Sequence, residues 1–146
     1  MPPLSRRFLA TAAGCLLAGI GLGFVMLLQR EFGGHGSGPL VVSAHTHLIL
    51  VGAMLEAIVG TALWLFPRPV RGQWQAPPWL GELAWATLTV GTVMRAIAEI
   101  LHGSHEGGIV RIAIAAGAGL QVVGVVTAVI VLQPRVRASV ARPGPA

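Results

Sequence analysis

The chain is poor in charge, and the charge it carries is one-sided. Only 10% of its 146 residues are charged, against about a quarter in an ordinary soluble domain. Lysine and aspartate are absent; the charges are ten arginines and five glutamates. One cysteine, Cys15, excludes an intrachain disulfide framework and a cysteine metal cluster. A pI near 11.6 would point to nucleic acid in a soluble protein, but the mean hydropathy is +0.76. The arginines mostly flank apolar runs here, which is how membrane proteins distribute them. No nucleic-acid partner is expected; a lipid bilayer is.

What is present is apolar length. Four runs are each near the ~20 residues that cross a bilayer as a helix. They predict helices over about 7–29, 40–66, 79–102 and 109–132. The fold class is therefore all-α: a four-transmembrane-helix bundle forming a single domain over 1–134, with 135–146 a disordered tail rich in proline, alanine and arginine. Glu31 to Pro39 and Val70 to Pro78 are loops, Gly103 to Gly108 is a turn, and Pro67 and Pro69 stop the second helix. Ser5-Arg6-Arg7-Phe8-Leu9 also resembles a twin-arginine export signal, but the apolar run continues well past Cys15 and is too long for a signal core. Gly19 and Gly23 form a GxxxG, with Gly14 and Gly21 on a neighbouring stripe, so this helix is expected to pack closely on another.

Arginine placement orients the chain. With the N-terminus inside, Arg6, Arg7, Arg68, Arg71, Arg135, Arg137 and Arg142 lie inside, and only Arg30 and Arg111 flank helices outside. Both termini are expected to be cytoplasmic, in a membrane of the bacterial inner (plasma) type. Trp64, Trp74, Trp79 and Trp85 then gather at the inner interface. All five histidines gather towards the outer side.

Polar residues within the runs carry the functional reading, because an ionisable group in hydrocarbon is costly unless partnered. In an unbroken α-helix His45 and Gly52, seven residues apart, share a face, where the missing side chain leaves room for a flat group. His47 lies roughly 200° round from His45 and cannot share that role. Glu56 falls on the His45–Gly52 face, as a carboxyl bonded to a neighbouring helix or as a proton relay. In the third helix Arg95, Glu99 and His102 share a face. Arg95 either pairs with Glu99 or meets carboxylates of a cofactor, such as haem propionates. Gln121, on one stripe with Gly117 and Gly124, is placed to bond another helix. His35 and His105 lie in the loops.

Zinc and copper sites need three or four converging ligands, which His45 and His47 on opposite faces do not provide. Haem needs one or two axial histidines and an apolar slot lined by small residues. The residues therefore allow haem at His45, hydrogen-bonding histidines with no cofactor, or a metal or proton pathway. For haem, His102 is the intrachain candidate for a second axial ligand. A symmetry-related His45 or another subunit is the alternative.

The stretch Ala44-His45-Thr46-His47-Leu48-Ile49-Leu50-Val51-Gly52, followed by Gly60-Thr61-Ala62-Leu63-Trp64-Leu65-Phe66-Pro67, resembles the second helix of haem–copper oxidase subunit I, in the nitric-oxide-reductase branch. The first helix, with its late glycines and the Leu28-Gln29 ending, also resembles that family's first; the third and fourth resemble it loosely, and equally resemble small membrane proteins related to NnrS. The resemblance implies that His45 is an axial ligand of a b-type haem near the outer side. It also implies that the protein is an electron-transfer or accessory subunit of a respiratory oxidase-like complex, as a homo-oligomer or with other respiratory membrane subunits. The family's later helices, which hold the binuclear centre, have no counterpart here, so no catalytic residue is expected and catalysis by this chain alone is not. The rivals are a cofactor-free membrane assembly or scaffold subunit and a metal- or proton-conducting protein.

Overall fold

The computed structural model describes residues 1–69, 74–102 and 107–140. It is all-helical among the described residues: α1 (Pro3–Phe32), α2 (Pro39–Leu65), α3 (Pro78–His102) and α4 (Gly108–Val140). All four are long and apolar enough to cross a membrane. Pro3, Pro39 and Pro78 each open a helix, where a missing N–H costs nothing and φ is already helical. α1 closes on Gly33, whose N–H donates to Gln29 O at 3.0 Å, and the chain turns through Gly34 at φ 69°. α2 ends at Phe66, which is extended (ψ 128°) because the following proline disfavours a helical predecessor.

Two boundaries differ from expectation. α1 starts at Pro3, about one turn before position 7, because its first turns are bundle interior. Ser5 and Phe8 are fully buried, and the Ser5 hydroxyl donates to Gly60 O of α2. That packing makes the segment part of the bundle, as a span requires. The tail also begins later than expected. α4 continues through Pro134 to Val140, so residues 135–140 are helical, while 141–146 lie outside the described residues. Arg135 supplies the reason: its Nη1 donates to Leu63 O at 3.0 Å, tying this extra turn to the end of α2.

The surface is apolar and several buried positions are polar. Leu17, Phe24, Ile58, Trp64, Ile112 and Val122 are exposed, whereas Ser5, Glu56, Thr92, Glu99 and Gln121 are buried. Water would favour the reverse, and hydrocarbon favours this. With lipid as apolar as leucine, close packing and interhelical hydrogen bonds must hold the bundle. α3 and α4 pack most intimately. A Cβ at Gly91 would lie 2.8 Å from Gly117 O, and one at Gly124 would lie 2.5 Å from Leu88 Cγ. On α1, Gly19 admits Ile49 and Gly23 admits the ring of His45, while Gly14 and Gly21 have nothing within 4 Å of a Cβ. The GxxxG therefore packs on α2, and the neighbouring stripe does not.

α2 is interrupted by a π-helical stretch, Leu48–Leu55, beginning directly after His47. A π-helix closes its bonds one residue further along than an α-helix, so each turn takes more residues. The side of α2 that meets α1 is continuous through it: His45, Ile49, Gly52 and Glu56 all contact α1.

Candidate functional site

His45 is half-buried on α2 and leans on α1. Its Nδ1 lies 2.9 Å from Gly19 O. A carbonyl oxygen only accepts, so Nδ1 carries the hydrogen, and in the neutral ring Nε2 holds the lone pair. A Cβ at Gly23 would sit 2.8 Å from the ring's Cε1 and 3.5 Å from Nε2. Gly23 is thus the cradle for the imidazole, one turn along from its hydrogen-bond acceptor.

Gly52 faces α1 as His45 does, but the space beside it is taken. A Cβ there would meet Cys15 Cβ and Sγ at 2.7 Å and Thr92 Cγ2 at 3.1 Å. The expected slot is filled from α1 and α3. Glu56 faces α1 as well: its carboxyl is bonded by Thr11 of α1 at Oε2, and Thr89 of α3 donates to Oε1 at 3.0 Å. His45, Gly52 and Glu56 thus all meet α1, and Gly52 and Glu56 also reach α3.

Glu56 is fully buried, and among the described residues no cation bonds it. The Thr11 oxygen also lies 3.0 Å from Arg7 O and 3.1 Å from Phe8 O. A hydroxyl has one hydrogen. The three acceptors compete for that hydrogen, and Glu56 is bonded to both α1 and α3, as expected of a carboxyl that bonds a neighbouring helix.

The second polar cluster joins three helices. Arg95 Nε donates to Glu99 Oε1 at 2.9 Å, and its Nη1 donates to Gln121 Oε1 of α4 at 3.3 Å. Gln121 Nε2 donates to Thr92 Oγ1 at 3.1 Å, while Ser43 of α2 donates to Glu99 Oε1 at 2.9 Å. Glu99 is 1% exposed, and its Oε2 has no hydrogen-bond partner. Gly117 lets α4 approach: a Cβ there would lie 2.8 Å from Arg95 Cβ. Arg95 is thus engaged with Glu99 and Gln121, the first of the two roles that the sequence left open. Gln121 does bond another helix, as expected.

Among the described residues no hydrogen bond joins another histidine to His45. His47 donates its Nδ1–H to Ser43 O of its own helix at 2.8 Å. His102 is half-buried in the last turn of α3, and no side-chain hydrogen bond joins it to another described residue. His35 is exposed, and His105, Glu106, Arg71 and Arg142 lie outside the described residues. Among the described residues no three His, Cys, Asp or Glu side chains come together as a metal site. That is unfavourable to a chelated ion and neutral towards haem, which needs fewer protein ligands.

An apolar groove of about 310 Å³ runs between α1 and α3 above Leu48, lined by Gly14, Cys15, Ala18, Ala96 and Ile100 among others. No histidine among the described residues lines it.

Sequence reading missed the residues that complete both clusters, Thr11, Thr89, Ser43 and Thr92, and the contact of Cys15 with Gly52. One signal was available. Thr11, Cys15, Gly19 and Gly23 recur every four residues along α1, a stripe of small side chains that continues the GxxxG towards its start. These positions meet Glu56, Gly52, Ile49 and His45 in turn.

These observations define a class, an all-helical bundle with four membrane-length helices and two buried polar clusters. No protein family, no curated protein and no solved structure matches the chain.

Proposed function

We propose that this is an integral membrane subunit that binds b-type haem through Nε2 of His45. The haem lies against the outer face of the bundle and is completed by a second chain. The observation that carries this reading is the bond from His45 Nδ1 to Gly19 O. Axial histidines characteristically give their other N–H to a carbonyl or carboxylate, which sets the tautomer and the ring's direction. Two further observations move the haem outwards. The interior position beside Gly52 is occupied by Cys15 and Thr92, and Arg95 is committed to Glu99 and Gln121. Neither serves the haem in this reading. The second axial ligand is His102 or a residue of the second chain.

Bound haem would supply one-electron transfer. The chain's own residues would hold the imidazole by Gly19 O, give it room at Gly23, and present an apolar surface. The protein acts as an electron-transfer or accessory subunit of a respiratory oxidase-like complex in a bacterial-type inner membrane, with both termini cytoplasmic. The arginine asymmetry and the likeness of the His45 stretch to haem–copper oxidase subunit I support this. The closed Gly52 slot favours a second reading, a cofactor-free scaffold subunit whose histidines only tie helices together.

One experiment separates the two. The full chain is purified from haem-replete cells, and reduced-minus-oxidised spectra are recorded for wild type, His45→Ala and His102→Ala. Haem binding predicts a Soret difference band that His45→Ala abolishes. A wild type without that band leaves the scaffold reading. Unchanged six-coordination in His102→Ala assigns the second ligand to the other chain.

A further inference from the structure

We infer that Arg68 and Arg135 form an anion site for the phosphate of an anionic phospholipid, at the end of the bundle where α1 begins and α4 ends. Both line a cleft of about 450 Å³ whose walls include Leu4, Gln75, Glu82 and Val131. The site is separate from His45 and does not depend on the haem reading.

The charge in this cleft is uncompensated. Among the described residues, no carboxylate pairs with Arg68 or Arg135. Glu82, the acid in the wall, is held by Arg7 at 2.6 Å. Two arginines therefore line one cleft, and among the described residues neither is paired with a carboxylate.

Arg135 is held in place, and Arg68, whose side chain is exposed, has a restrained backbone. Arg135 spends one N–H on Leu63 O, which positions the guanidinium and leaves further donors of its planar fork for a phosphate. Arg68 lies between Pro67 and Pro69, and Pro69 O accepts from Gln75 Nε2 at 2.9 Å, so its backbone is restrained. Arginine's fork matches the oxygens of a phosphate group in two-point contact.

The surroundings select a lipid over a soluble anion. Trp64, Trp74 and Trp79 are exposed at this end, as in the aromatic belts found at headgroup depth. The wall adds Leu4, Leu63 and Val131, apolar contacts for the glycerol and upper acyl region. Arginines at this depth attract anionic lipid, each contributing about 1 kcal/mol.

The test uses the full chain, delipidated in detergent. Retention of phosphatidylglycerol and of phosphatidylcholine is compared by native mass spectrometry, with inorganic phosphate as a separate arm. Arg68→Gln is the deciding variant because, among the described residues, no hydrogen bond ties the Arg68 side chain to a helix; Arg135→Gln follows, and Arg6→Gln, exposed and outside the cleft, is the control. The site predicts preferential retention of phosphatidylglycerol, weakened about five-fold by Arg68→Gln, the factor equivalent to about 1 kcal/mol. Arg6→Gln should change nothing. Equal retention of the two lipids, or equal loss with Arg6→Gln, overturns the site. Inorganic phosphate binding that Arg68→Gln abolishes, with no lipid preference, upholds an anion site and overturns its assignment to lipid.

Discussion

Replacing Arg95 by methionine tests whether the three-helix polar cluster holds the bundle together. The substitution keeps the apolar stem against Gly117 and removes the guanidinium. Glu99, 1% exposed, then keeps only the Ser43 hydroxyl at Oε1, with Oε2 already unpartnered. A buried carboxylate stripped of its cation costs about 3–5 kcal/mol. Arg95→Met should therefore destabilise by about 3–5 kcal/mol. The assay is reversible unfolding in mixed detergent, followed by circular dichroism. Arg95→Met/Glu99→Gln should recover most of the loss, because it removes the unpaired charge. A penalty for Arg95→Met below about 1 kcal/mol, the usual range for an exposed pair, would refute the reasoning. So would a double variant as unstable as the single one.

Gly52→Ala should destabilise by about 1–3 kcal/mol, because its Cβ would press on Cys15 and Thr92. Cys15→Gly in the same chain should recover part of that loss, and no recovery in detergent unfolding would mean that the contact is misplaced. Glu56→Gln can still donate to Thr11 and accept from Thr89, so its cost should stay within about 1 kcal/mol. Glu56→Ala removes both bonds and leaves a cavity, at about 2–5 kcal/mol; equal costs would refute the two-hydroxyl arrangement.

Helix number and type were legible because hydrophobic length is a one-dimensional property. About 20 apolar residues in a row admit few alternatives, and the proline-opened starts and the break at Phe66-Pro67 bound them from the chain alone. The interior position of His45, the Gly19/Gly23 stripe and the Arg95–Glu99 pair were readable for the same local reason. Each depends on residues one or two turns apart on one helix. Gln121 was readable as a helix-bonding group because a buried amide must find a partner.

Tertiary structure decided which faces meet. Gly52 keeps the α1-facing side expected of it, but Cys15 and Thr92 fill the space beside it, and neither contact is readable from α2 alone. Thr11 and Thr89 on Glu56, and Ser43 on Glu99, depend on the register between helices far apart in sequence. The same holds for α4 beyond Pro134: its extra turn rests on a bond from Arg135 to a carbonyl 72 residues earlier. Composition and periodicity determine what each helix is; which side chains face one another depends on close packing between helices.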